Sequence, residues 1–115
     1  MDFKKRIITK STELRERGNG FRFSVKTPDG TPQEAFVVRF NTKAYGYLNS
    51  CAHLPVELDW NPGHFFDESK DYLICATHGA TYQPDTGRCI SGPCVGAKLQ
   101  PVAIFEDKGD IYHLE

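Results

Sequence analysis

Apolar and polar residues alternate along much of this chain. Phe21, Phe23 and Val25 are interleaved with Arg22, Ser24 and Lys26, the period of a strand that buries one face. Thr27-Pro28-Asp29-Gly30 supplies a bend, since proline presets φ and glycine accepts positive φ. The alternation resumes over 34–41 and predicts Phe36, Val38 and Phe40 pointing into a core. Lys43 to Ser50 follows after a brief turn and is expected to pair back as a hairpin. Upstream, residues 5–10 predict a short edge strand. Thr12 to Arg17 predicts one helical turn, capped by Thr12 and stopped by Gly18. Downstream, short strands are expected at 71–76, on either side of a Pro84-Asp85-Thr86-Gly87 turn within 81–90, and at 99–105 and 111–114 around Asp107-Lys108-Gly109-Asp110. No repeat, low-complexity tract or linker breaks the series. Many short strands with tight turns predict a single all-β domain over residues 1–115, a small antiparallel sandwich or partial barrel.

A chain of 115 residues supports one modest core. A formal charge of −1 gives no support to nucleic-acid binding. The distribution is uneven: residues 41–115 carry five basic and ten acidic side chains, while residues 1–40 carry nine and five. Met1-Asp2-Phe3-Lys4-Lys5-Arg6 is charged and has no apolar run behind it, unlike a signal peptide. No segment approaches the roughly 20 apolar residues of a membrane span. A cytoplasmic protein without a membrane role is expected, and there four cysteines act as ligands or thiols rather than as a disulfide framework.

The chemistry is concentrated between Cys51 and Cys94. Cys51-Ala52-His53 is followed, after twenty-one residues, by Cys75-Ala76-Thr77-His78-Gly79. Two Cys/His pairs of this kind are what a metal centre takes from two loop tips. Thiolates are soft anionic donors and imidazole is a neutral one. By residue type alone the set suits either structural zinc or a [2Fe–2S] cluster with unlike irons.

With the residues around them, the pairs resemble the Rieske iron–sulfur family. Cys51-x-His53, Leu58, Cys75-x-x-His78-Gly79, the aromatic at Tyr82, Thr86-Gly87 and the Gly92-Pro93 of a covering loop occur in the family's order. The resemblance runs over about 49–94 and implies the Rieske fold, with two cluster-binding loops. It implies one [2Fe–2S] cluster, Cys51 and Cys75 holding one iron and His53 and His78 the other. Neutral imidazoles in place of two thiolates raise potentials from about −400 mV to roughly −150 to +300 mV. Reduction is then expected to raise the imidazole pKa values, coupling electron to proton uptake. In high-potential relatives a serine donates to a bridging sulfide where this chain has Ala80, while the tyrosine that donates to a cysteine sulfur is matched by Tyr82. Losing one of two donors predicts a potential low in that range. Pro55 replaces the family's usual glycine, and Val56 and Thr77 stand where respiratory members carry a bridging disulfide.

The remaining candidates have plainer roles. Cys89 is expected to pack as a small hydrophobe beside the cluster and Cys94 to end the covering loop. His64 and His113 are expected on the surface, and Trp60 as a lid over its loop. Glu57, Asp59, Asp67, Glu68 and Asp71 are opposed by Lys70 alone, which predicts an acidic face suited to a basic patch on a redox partner. The resemblance implies a one-electron carrier of the ferredoxin kind, not an enzyme and without a small-molecule substrate, passing electrons between a reductase and an oxygenase or similar acceptor. The length leaves no room for an oxygenase's second domain. The alternative is a zinc-bound or cluster-free accessory subunit, as in the small subunit of nitrite reductase. A redox-sensing role for the cluster is a third.

Overall fold

The computed structural model describes residues 5–26, 29–52, 56–59, 61–77 and 79–114. These form ten strands and one 3-10 turn in the order β1 (Lys5–Lys10), the turn Ser11–Glu13, β2 (Phe21–Lys26), β3 (Pro32–Phe40), β4 (Lys43–Leu48), β5 (Leu73–Ile74), β6 (Thr81–Tyr82), β7 (Cys89–Ser91), β8 (Pro101–Val102), β9 (Ile104–Asp107) and β10 (Asp110–Leu114). They make three antiparallel sheets, ordered β1-β10-β9, β2-β3-β4-β8 and β5-β6-β7. None of these sheets closes on itself among the described residues. The all-β expectation holds, in open layers rather than a partial barrel.

The four-stranded sheet is the middle layer, and β3 shows why. Ala35, Phe36, Val37 and Val38 of β3 are all fully buried. Phe36 and Val38 enter a core with Tyr47, Leu58, Phe65, Leu73, Tyr82 and Leu99. Ala35 and Val37 enter a second core with Leu14, Phe23, Val25 and Ile111. A strand covered on both faces loses the hydrophobic alternation of a half-buried one. Phe40, expected inside, is only half-buried, because β3 runs past the edge of the first core there. In that core Phe36 stacks on Phe65 with ring centroids 3.9 Å apart.

The predicted hairpins form. Asn41 and Thr42 join β3 to β4 with φ of 51° and 70°, the doubly positive geometry that follows the twist of paired strands. Threonine is a poor occupant of that region. The turn is held from outside: both Glu16 carboxylate oxygens accept backbone N–H groups, from Asn41 at 2.6 Å and from Thr42 at 2.7 Å. The bend at 27–30 falls partly outside the described residues. Within them, Asp29 Oδ1 accepts from Thr31 N–H at 3.0 Å.

Three local expectations are corrected. The helical turn starts at Ser11, not Thr12, and ends by Leu14, because Leu14 is 2 % exposed and pulls the chain into the second core. The strand over 71–76 shortens to Leu73–Ile74. The strand over 99–105 breaks at Ala103, so that β8 pairs with β4 while β9 pairs with β10. His113 is also not a surface residue. It shares the inward face of β10 with Ile111, its Nδ1 lies 3.1 Å from Ala103 O, and its ring packs on Phe23.

Arg39 locks the outer elements to the middle sheet. It donates to Leu14 O at 2.7 Å and Thr42 O at 3.1 Å, and forms a bidentate pair with Glu106 at 3.0 and 2.6 Å. The hydrogen bonds from Arg39 hold the Glu106 carboxyl below its ordinary value of 4.5, against the opposing effect of burial. A depressed carboxylate contributes stability that is whole above 4.5 and fades as pH falls through the folded value. Glu106→Gln is therefore expected to lower stability at pH 7 and to flatten its decline below pH 4.5. Urea denaturation at stepped pH measures both; an unchanged acid slope refutes the assignment.

Candidate metal centre

The site is built where the strand ladder of β4 runs out. Asn49 N–H still donates to Glu34 O at 2.8 Å, and two residues later Cys51 N–H donates to Val56 O at 2.8 Å, closing a tight first loop. A second loop opens after β5. Cys75 N–H donates to Ala80 O at 2.9 Å while Gly79 N–H donates to Cys75 O at 2.8 Å. Each motif cysteine thus begins a loop closed by its own backbone. Both are buried, Cys51 at 4 % exposure and Cys75 at 0 %.

His53, His78, Pro55 and Trp60 lie outside the described residues. Among the described residues no three His, Cys, Asp or Glu side chains are grouped to hold a metal ion.

The loops are joined without a covalent brace. Ala76 N–H donates to Leu58 O at 3.0 Å, linking the second loop directly to the end of the first. Val56 and Thr77 offer no sulfur for a disulfide. Behind this link stands a buried polar group that the sequence reading missed. Asn49 Oδ1 accepts from Leu58 N–H at 2.8 Å, and its Nδ2 donates to Asp59 Oδ1 at 2.9 Å. Asp59 Oδ2 accepts from Gly63 N–H at 2.9 Å, with Arg22 Nε 3.7 Å away. Asn49 and Asp59 are each 5 % exposed. Asp59 is therefore a structural anchor for the first loop and not part of an acidic surface.

The rest of the acidic run is opposed by more than Lys70. Arg22 pairs with Glu57, and Arg17 pairs with Asp71 at 2.6 Å. Both arginines come from the N-terminal third of the chain, so their effect was invisible in the local charge pattern. Glu68 stays exposed, as does His64.

Tyr82, fully buried on β6, points at the first loop. Its hydroxyl lies 3.3 Å from Cys51 Sγ, 3.1 Å from the donating Ala52 N–H and 3.3 Å from Cys94 Sγ. Burial first, and then the two sulfurs, push the Tyr82 phenol far above its usual range, so it carries its proton at all ordinary pH. Cys94 is in turn 2.8 Å from Cys89 Sγ. Both are buried, as expected, but they form a sulfur row leading to Tyr82 rather than independent apolar packing. Pairing Tyr82 with Cys89 across the hairpin puts the two side chains at one level, a consequence of register that no linear motif encodes.

The covering loop lies against Ala80. Gly92 has φ of 98°, and a Cβ there would sit 2.8 Å from Ala80 Cα. Gly79 has φ of 73° in open space. Pro93 is exposed beside Ile90 and Val95, which present apolar surface.

These features match known proteins. The ferredoxin of carbazole 1,9a-dioxygenase from Nocardioides aromaticivorans IC177 superposes with a TM-score of 0.73 at 24 % identity, covering 96 % of both chains. The ferredoxin of Sphingomonas yanoikuyae B1 gives 0.71 at 14 % identity, covering 97 % of this chain and 99 % of that one. A complex of reduced oxygenase and oxidized ferredoxin in carbazole 1,9a-dioxygenase contains a chain matching with 0.69 at 19 % identity, over 96 % and 92 %. At such identities the likeness establishes the fold. No curated protein sequence matches significantly. The model of the Rieske [2Fe-2S] domain matches residues 5–112, nearly the whole described chain, and the protein belongs to that iron–sulfur family.

Proposed function

We propose that this protein is a one-electron carrier of the ferredoxin kind, delivering electrons to an oxygenase or comparable acceptor. In this reading Cys51 and Cys75 hold one iron of a [2Fe–2S] cluster and His53 and His78 the other. The observation that carries it is the buried Tyr82 hydroxyl, 3.3 Å from Cys51 Sγ. A proton donor aimed at a buried sulfur suits a thiolate ligand whose charge the site must moderate. Two buried cysteines opening hydrogen-bonded loops fit a soft, anionic donor pair. When bound, the cluster takes up and returns one electron. The chain's own residues hold the loops in register, shield the sulfurs and set the hydrogen bonds around them.

The partners are redox proteins: a reductase that supplies the electron and an acceptor that receives it. The carbazole dioxygenase complex of oxygenase with ferredoxin supports that pairing. Exposed Ile90 in β7, with Pro93 and Val95 beyond it, supplies an apolar rim for docking, with Glu68 among the charges available for steering. The carrier works in the cytoplasm as one domain and transforms no substrate itself. Among the described residues no helix is long and apolar enough to cross a membrane.

Iron and acid-labile sulfide in equal amounts, about two of each per chain, with a rhombic electron-spin signal on reduction are the expected result. A colourless zinc protein refutes the reading. Ala80→Ser restores a donor where high-potential relatives have one and is expected to raise the midpoint potential. An unmoved midpoint in a fully loaded variant would remove the explanation for a low value.

A further inference from the structure

Four hydrogen bonds run from Cys51 through Tyr82, Cys94 and Cys89 to the backbone of β7, and the supply of protons fixes their directions. The far end is settled first, because a carbonyl oxygen only accepts: Cys89 Sγ gives its single proton to Ser91 O at 3.3 Å. Burial, and then the contact with Cys94, raise the Cys89 thiol to about 11, so that proton is in place. At the 2.8 Å sulfur–sulfur contact Cys94 is therefore the donor and Cys89 the acceptor. Cys94 then has no second proton, and at its 3.3 Å contact with the Tyr82 hydroxyl its sulfur can only accept. The hydroxyl oxygen itself accepts from Ala52 N–H at 3.1 Å. A cysteine sulfur bound to iron carries no proton either, so Cys51 Sγ, also 3.3 Å away, can only accept as well. One phenol proton faces two sulfurs at equal distance.

We propose that Cys94 is a positioning residue for the cluster: its sulfur competes with Cys51 Sγ for the Tyr82 proton and so weakens the hydrogen bond to that ligand. The inference rests on the cluster reading above. The iron-bound sulfur is the more negative acceptor, but part of its charge lies on the metal. The Cys94 sulfur is strengthened from behind. A thiol that donates becomes a better acceptor, and Cys94 to Cys89 to Ser91 O aligns two such donations. Cys51, Cys94 and Tyr82 are all buried, which keeps bulk water out of the competition. A hydrogen bond to a ligand sulfur stabilises the added charge of the reduced cluster and raises the potential. Cys94 therefore acts in the same direction as Ala80, toward a low potential. Ala80 withholds one donor, and Cys94 diverts part of the donor that remains.

The opposite polarity predicts the opposite sign. Were Cys94 to donate to Tyr82, it would commit the phenol proton to Cys51, and its removal would lower the potential. The test is protein-film voltammetry on the loaded wild type, Cys94→Ala, Cys94→Val and each in a Tyr82→Phe background. Both substitutions remove the competing acceptor, and valine keeps the site filled. The midpoint is expected to rise in both, and neither is expected to shift it further once Tyr82 is Phe. A midpoint that falls or stays put in either variant overturns the proposal, as does an equal shift in the Tyr82→Phe background, which marks a packing effect. If neither variant holds its cluster, the infrared S–H stretch of Cys94, assigned by its loss in Cys94→Ser, decides. Its acceptor is Cys89, so the band is expected at low frequency in the wild type and in Tyr82→Phe alike. A band that moves to the free-thiol position in Tyr82→Phe shows Cys94 donating to the phenol and overturns the proposal. Iron and sulfide analysis of the wild type keeps the two readings apart: a cluster-free protein overturns both, whereas a loaded protein whose midpoint does not rise overturns only the role of Cys94.

Discussion

Asp59→Ala is expected to destabilise the protein by about 3 kcal/mol, from two buried donors losing their acceptor at roughly 1–3 kcal/mol each. The donors are Asn49 Nδ2 and Gly63 N–H, and the nearby Arg22 Nε loses its counter-charge as well. Relative to a total of about 5–15 kcal/mol, that is a large fraction. Urea denaturation with an unchanged m-value measures it. Asp59→Asn is expected to cost less, because an amide keeps one acceptor oxygen while placing an N–H group against one of the same donors. The damage should fall first on the first loop, since Asn49 holds both Asp59 and Leu58 N–H, and Leu58 O holds Ala76. Faster amide exchange at Leu58 and Ala76 than in the β3–β4 hairpin would show this. A loss under about 1 kcal/mol would mean that Asp59 is a passive resident of the core.

Gly92→Ala is the second large effect. Two costs add at this position. A non-glycine residue at φ of 98° carries backbone strain of about 1–3 kcal/mol. Its Cβ also meets Ala80 Cα at 2.8 Å, a backbone atom that cannot rotate aside. Relief requires the covering loop to lift from Ala80, at about 1–3 kcal/mol more. Gly96→Ala is the control: its φ of 97° is nearly the same, but nothing lies within 4 Å of the added atom. The expected order is a small fall in melting temperature for Gly96→Ala and one roughly twice as large for Gly92→Ala. In the cluster-loaded protein Gly92→Ala should also bleach faster in air, because the lifted loop admits solvent. Equal melting temperatures for the two variants would show that contact with Ala80 contributes nothing.

The sequence reading worked best where structure is locally encoded. The hairpins follow from alternation plus turn residues, and the two loops that open at Cys51 and Cys75 fall where the motif's spacing places them. It was weakest where a side chain's partner comes from far along the chain. Glu57 and Asp71 look like unopposed charge until Arg22 and Arg17 arrive from the N-terminal third. Asp59 resembles its acidic neighbours in sequence, yet it alone turns inward to Asn49 and Gly63. His113 was read as exposed, although its period with Ile111 already placed both on one face of β10.

What the chain dictates by itself is the all-β class, the order of its short strands and the residues of the motif, because period, turn chemistry and spacing act over a few residues at a time. The layering was decided by tertiary structure. Whether β3 has one buried face or two depends on which other sheets reach it, and Leu14 and Ile111 close the second face from opposite ends of the chain. The same holds for the sulfur row: Cys51 and Cys94 meet at the Tyr82 hydroxyl, with Cys89 behind Cys94, only because antiparallel register and the covering loop bring separate segments to one buried group.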